Sequence, residues 1–333
     1  MFRSGIRAFV VALAVLPLMA LAQIQERTIK FATQNPKGHP LVTGMEKFAE
    51  IVTAKTGGKI KVNLFPGGVL GGDAANVSAL QGGTLEMVVL NSGILASQVK
   101  EFAVFDFPFM FANAREADTV VDGPFGNMML AKLDDKGIHG LAWWELGFRN
   151  ITNSRHPITR VEDIAGLKLR VIPNAINVDW VSALGANPTP MAFPEVYSGL
   201  EQKAIDGQEN PVTVILANKF YEVQKYLVIT NHQYNPQTVI ISRKLWDALT
   251  SDEKKVLSDA ALEAGRVQRQ VSREQAGRAL EDLKKNGMQV TELGAAELEK
   301  FRARMKPVIA KHSAIVGPEV VDALMGELGK LRR

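Results

Sequence analysis

The chain has 333 residues, 46% of them hydrophobic and 22% charged, with a formal charge of only +4. That length fits two domains, the composition excludes a disordered tail, and the near balance of charge excludes a nucleic-acid protein with its large basic excess. There is no cysteine, which excludes disulfides, cysteine–zinc sites, iron–sulfur clusters and thiol catalysis together.

Residues 1–22 read as a secretory signal: Arg3 and Arg7 make a positive start, Ala8–Leu21 is apolar, and Ala20-Leu21-Ala22 is a small-x-small cleavage site. The uncharged run falls short of the ~20 residues that span a bilayer. Cleavage before Gln23, export to a bacterial periplasm and no membrane insertion of the mature chain are expected.

Thr28–Ala32 alternates like a strand, and Leu41, Met45, Phe48, Ala49 and Val52 then recur with helical spacing up to Gly57-Gly58. Lys59–Phe65 alternates with period two. A glycine-rich turn follows, Asp73 opens a helix to Leu80, and Met87–Leu90 is a short apolar strand. This alternation is the grammar of a doubly wound α/β domain. It repeats with a strand at Leu167–Val171, helices at Ala175–Leu184 and Glu195–Gln202, and a strand edge after Ala204–Gly207. No Pro-rich linker separates the two units, so two lobes sharing strands are expected.

Ser251 to Asn286 is different. Ser251 reads as an N-cap, acids follow it, apolar residues recur from Val256 to Leu283, and Lys284, Lys285 and Gly287 close the segment. At 1.5 Å per residue one helix of this length reaches about 54 Å, enough to lie across both lobes. Two helices with a kink at Gly277 are the other reading.

The familiar catalytic signatures are missing: no G-x-S-x-G, no Walker A loop, no G-x-G-x-x-G. The five histidines lie far apart without ligand spacing, so neither a metal nor a cofactor is expected, and no catalytic residue is assigned. What remains are anion-reading groups at strand ends. Arg170 ends an apolar strand, where a guanidinium is costly to bury without a partner. That partner is either an internal acid such as Glu209 or a ligand carboxylate, which matches the guanidinium fork bidentately. Arg149, in Trp143–Asn153, and the polar cluster Asp206–Pro211 are further candidates.

At these residues the sequence resembles the substrate-binding proteins of tripartite ATP-independent periplasmic (TRAP) transporters, of the dicarboxylate/sialic-acid type. The resemblance covers essentially the whole mature chain. It is strongest across Gly147–Ser154, Asp163–Val171, Gly185–Tyr197, Asp206–Pro211 and Lys219–Lys225. It implies a two-lobed periplasmic-binding-protein fold with hinge strands and a long helix spanning both lobes. Lobe I would hold 23–147 with about 236–275 returning to it, and lobe II 148–235 completed by about 276–333. The implied function is not enzymatic: the protein captures a small organic acid anion between the lobes and hands it to a TRAP membrane permease.

By the same resemblance Arg170 is the main carboxylate clamp, Arg149 assists, Asn210 hydrogen-bonds the same region and Phe193 lines the pocket. Gln34, Asp73, Asn91 and Ser92 would face the cleft from the other lobe. Sialic-acid binders carry an acid and an arginine where this chain has Asn91 and Ile94, so several hydroxyls of that large tail would lack partners at about 1–3 kcal/mol each. A smaller dicarboxylate, or a hydroxy or keto acid, fits better. A sugar acid is the alternative ligand, and a periplasmic enzyme using Asp73 as acid–base is the alternative class.

Overall fold

The computed structural model describes residues 24–333, and the signal-like segment lies outside them. Among the described residues no helix is long and apolar enough to cross a membrane. In lobe I, β1 (Arg27–Ala32) runs parallel to β2 (Ile60–Phe65) and β3 (Met87–Asn91). Ile29 and Phe31 on β1 alternate inward and are fully buried. The helix Pro40–Lys55 between β1 and β2 starts on a proline, with His39 Nδ1 accepting the Leu41 N–H as the cap.

Two strands, β4 (Ile138–Asn153) and β8 (Tyr226–Ser242), run antiparallel to each other through both lobes. In lobe II a second parallel set follows: β5 (Lys168–Val171) lies between β6 (Asn187–Pro190) and β7 (Gly207–Asn210). The sheet order is β2-β1-β3-β8-β4-β7-β5-β6, with β9 (Gln289–Glu292) added on β8. β3 pairs with the Gln237–Ile241 half of β8, and β7 with the Asn150–Asn153 half of β4. The two half-sheets are therefore continuous through β4 and β8. Along that ladder the register shifts at Gly140/Ala142, Glu145/Gly147 and Arg149/Ile151, which bends the strands where the lobes meet.

Ser251–Lys285 is one unbroken helix, so the kink at Gly277 does not occur. Its cap is Thr250, not Ser251, in a reciprocal capping box with Glu253. Leu257, Ala260, Ala261 and Ala264 enter the core of lobe I, and Leu283 that of lobe II. Midway, Gln268 exchanges two hydrogen bonds with the backbone of Glu145, its Oε1 accepting at 2.9 Å and its Nε2 donating at 2.7 Å.

The C-terminal placement differs from the expectation that 276–333 completes lobe II. The helix Ala295–Val316 packs on Ala175–Ala183 of lobe II but also on Lys100–Asp106 of lobe I. Gly317, at φ 108°, turns the chain, and Pro318–Leu331 lies on the lobe I helices Ala114–Asp122 and Pro124–Ala131. Val320, Leu324 and Leu328 form its buried stripe, and Arg332 pairs with Glu116 at 2.8 Å. A helical stripe in a sequence announces that one face is buried, not which lobe buries it.

Candidate functional site

A cavity of about 350 Å³ opens between the lobes at the C-terminal ends of β1, β3 and β5, the usual ligand position in open α/β sheets. Arg170, Arg149, Asn210, Phe193, Gln34, Asp73 and Asn91 all line it. Ser92, expected on the same wall, does not: it is fully buried, and its hydroxyl donates to the Pro236 carbonyl and lies 2.8 Å from Thr238 Oγ1. It ties β3 to β8 behind the cavity.

Arg170 is 2% exposed. Its Nε and Nη2 both donate to the Met191 carbonyl, at 2.9 and 2.7 Å. Among the described residues no carboxylate lies within ion-pair distance of it, so the internal bridge to Glu209 does not form there. Of its five N–H groups, the end-on pair across Nη1 and Nη2 is left without an acceptor. Burial draws its pKa down to about 10, so it remains charged at neutral pH. Phe193 sits with its ring centre 5.8 Å from the guanidinium carbon, within cation–π range.

Glu209 belongs instead to Arg149. The Arg149 Nε and Nη2 donate to the two carboxylate oxygens, Nη2 also reaches the Glu209 carbonyl, and Nη1 donates to Asn235 Oδ1 at 3.2 Å. Only one N–H remains for a ligand. Burial alone would raise the Glu209 carboxyl, but Arg149 and the neighbouring His232 hold it at about 2. The expected assisting clamp is thus already an ion pair, with a supporting face turned to the cavity.

Asn210 is oriented by a relay of fixed polarity. Gln224 Nε2 donates to the Val223 carbonyl, so its Oε1 accepts from Thr152 Oγ1, which in turn accepts from Gln208 Nε2. Gln208 Oε1 then accepts from Asn210 Nδ2 at 2.6 Å. One Asn210 amide N–H stays available. Asn91 is differently placed: its Oδ1 accepts the Gly93 N–H, which fixes its Nδ2 as donor to Asn235 Oδ1. It braces the wall, and like Asn210 keeps one amide N–H beyond the bond it makes.

On the lobe I wall Gln34 Nε2 donates to the Gly71 carbonyl at 2.8 Å, leaving Oε1 enclosed and without a partner. Gly68, at φ +69°, must be glycine: a Cβ there would lie 2.9 Å from Gln34 Oε1. Asp73 is the first residue of the helix Asp73–Gly82, and its Oδ1 is also buried without a partner. Burial pushes its carboxyl up to about 7, against the pull of Arg170. Sequence reasoning missed Thr33, Asn35 and Gln237, which line the same cavity with unpartnered polar atoms. The available signal, for Gln237, was the polar run Thr230–Gln237 set against the apolar Val239–Ile241 that follows it.

The family model of the bacterial extracellular solute-binding proteins, family 7 (DctP), matches residues 31–314. The chain is 33% identical over 324 residues to the C4-dicarboxylate-binding periplasmic protein DctP of Rhodobacter capsulatus, covering 96% of this chain and 95% of that one. Among solved structures, a TRAP periplasmic solute-binding protein from Ochrobactrum anthropi is 56% identical with a TM-score of 0.83, covering 93% of this chain and 97% of that one. The sugar acid binding protein DctPAm from Advenella mimigardefordensis, in complex with galactonate, is 42% identical with a TM-score of 0.91, covering 92% and 99%. With two lobes joined by shared strands and a cleft built around a buried arginine that pairs with no carboxylate among the described residues, the chain belongs to the TRAP-type bacterial extracellular solute-binding proteins of family 7.

Proposed function

We propose that the protein is the exported receptor of a TRAP-type uptake system, which captures a small organic acid between its lobes and delivers it to the membrane permease subunits. The observation that carries this reading is Arg170: a buried guanidinium whose end-on N–H pair points to no protein acceptor. A ligand carboxylate supplies what is missing, as two charge-assisted bonds in a desolvated site. Relatives of comparable likeness are named for a C4-dicarboxylate in one case and a sugar acid in another, and a carboxylate is common to both.

Capture and closure are linked by where the contacts lie. Arg170, Arg149 and Asn210 come from lobe II, Gln34 and Asp73 from lobe I. A ligand held by both sets binds the closed arrangement better than the open one, and only that difference shifts the population. Export by the signal at residues 1–22 places the receptor in the periplasm, and binding without turnover is the activity.

The test is a thermal-shift screen over organic acids, followed by titration calorimetry and recovery of the ligand. A ligand at 100 times its Kd adds about 2.7 kcal/mol of stability. Ligands recovered unchanged support a receptor. Chemical conversion of a bound acid would make it an enzyme, and no response to any carboxylate would refute the proposal.

A further inference from the structure

We infer that the cleft selects a polyhydroxylated monocarboxylate, such as an aldonate, and discriminates against dicarboxylates. This rests on the receptor reading above and narrows it to a substrate class.

The first observation is charge. Three ionisable side chains line the cavity: Arg149, Arg170 and Asp73. Glu209 already pairs with Arg149, so of the two guanidinium groups lining the cavity Arg170 is the one whose charge no ion pair among the described residues offsets. One carboxylate matches it. A second carboxylate on the same ligand would extend toward lobe I, where the ionisable lining residue is another acid, Asp73, and no cation stands ready.

The second observation is the hydrogen-bond polarity of that far wall. Gln34 Oε1, Asn35 Oδ1 and Asp73 Oδ1 are buried acceptors without partners. Thr33 Oγ1, which can donate or accept, is a fourth such atom, and Gln237 Nε2 is an unpartnered donor beside them. The direction of Gln34 is not free, because its Nε2 must donate to the Gly71 carbonyl. Buried acceptors left unmatched are costly, so the wall calls for donors from whatever fills the cleft. Hydroxyl groups both donate and accept, and so match these acceptors and the Gln237 donor alike; a carboxylate cannot donate, and a hydrocarbon offers nothing. Phe193, Ile94 and Leu146 leave apolar surface for the C–H faces of a carbon chain. Burial favours the protonated form of Asp73 in the ligand-free cleft, and a hydroxyl donating to it favours the ionised form, so a ligand of this class also restores that charge.

The experiment is calorimetric titration of the purified exported protein with matched probes: C4–C6 aldonates including gluconate, hexanoate, succinate and the doubly charged galactarate. At least one aldonate is expected to bind at least tenfold more tightly than hexanoate, succinate and galactarate, as one or two hydrogen bonds to such acceptors imply. Asp73→Asn should weaken that aldonate about tenfold while leaving hexanoate within about twofold. Succinate, galactarate or hexanoate equalling the best aldonate would overturn this inference and leave the receptor standing. Equal losses for aldonate and hexanoate in Asp73→Asn would overturn the role given to the lobe I wall. If none of the acids binds, nor any other carboxylate in the wider screen, the receptor reading itself falls, and this one with it.

Discussion

Arg149 meets both carboxylate oxygens of Glu209, and neither residue is more than 1% exposed. Breaking a buried pair from one side leaves an uncompensated charge and typically costs about 3–5 kcal/mol, whereas replacing both partners by apolar groups is often neutral. Arg149→Ala and Glu209→Gln should therefore each lower ligand-free stability markedly, and the double variant Arg149→Met/Glu209→Met should recover most of it. Urea denaturation measures all three. A single variant within 1 kcal/mol of wild type would show that the pair is not a structural element.

Arg170 should behave in the opposite way. It has no acid to orphan, and burying its guanidinium is itself unfavourable, so Arg170→Met should melt at or above the wild-type temperature without ligand. Its binding should fall by roughly 30-fold to several thousand-fold, as for removal of one partner of a desolvated charge pair at about 2–5 kcal/mol. Arg170→Lys should lose much of the same affinity, since lysine is a point charge without the end-on fork. Calorimetry of the identified acid together with ligand-free melting curves decides. Normal affinity in a folded Arg170→Lys would move the clamp elsewhere.

Acid should weaken the protein through His39. Burial holds this imidazole neutral, with its pKa lowered from 6.5 to about 3. The unfolded chain takes up the proton first, so stability is present above 6.5 and is lost as pH falls from there toward 3. His39→Asn keeps an acceptor for the Leu41 N–H and removes the titration. Melting curves from pH 7 to 4 should be flatter for the variant than for wild type.

Asp73 gives the reverse slope. Its carboxyl is raised from 3.8 to about 7 by burial, so the folded state holds a proton that the unfolded chain releases, and ligand-free stability declines as pH rises from 3.8 to 7. Asp73→Asn should gain relative to wild type between pH 5 and 8. Parallel pH profiles would mean that the carboxyl titrates normally.

Two glycines on the long helix separate packing from propensity. A Cβ at Gly265 would lie 2.8 Å from Trp144 Cδ1, while at Gly277 it would meet nothing within 4 Å. Gly265→Ala should destabilise by about 1–3 kcal/mol through overpacking, and Gly277→Ala should stabilise by about 0.8–1 kcal/mol through helix propensity. Thermal unfolding of the two variants, with opposite signs, checks both.

The short strands β1, β2, β3 and β5 were legible because each combines a period-two pattern or an apolar run with a turn signal at its end. β8 was not. Its run Thr230–Gln237 is polar and contains Pro236, which ordinarily ends a strand. The proline is accommodated where the ladder with β4 slips between Glu145 and Gly147, a feature of pairing that no local pattern carries. At the site, the family resemblance drew attention to seven side chains that line the cavity, and to Ser92, which does not, but not to their hydrogen bonds. Which arginine owns Glu209 depends on β4 and β7 being neighbours, with Ile151 opposite Glu209. Ser92 and Asn91 are adjacent in sequence, yet β3 ends at Asn91 and a 3-10 turn begins at Ser92, which leaves Asn91 at the surface of the wall and Ser92 behind it.

Since β4 and β8 pass from lobe to lobe as paired strands, with the long helix and the turn at Gly317 crossing beside them, the joint is made largely of the sheet itself. Movement there has to be taken up as torsion of a hydrogen-bonded ribbon between Glu145 and Ile151. A torsion bar of this kind has a rest position and resists displacement in either direction. Its stiffness, set by residues that touch no ligand, becomes a term in every measured affinity. Substitutions in the ribbon should then retune all ligands by a common factor and leave their ranking untouched.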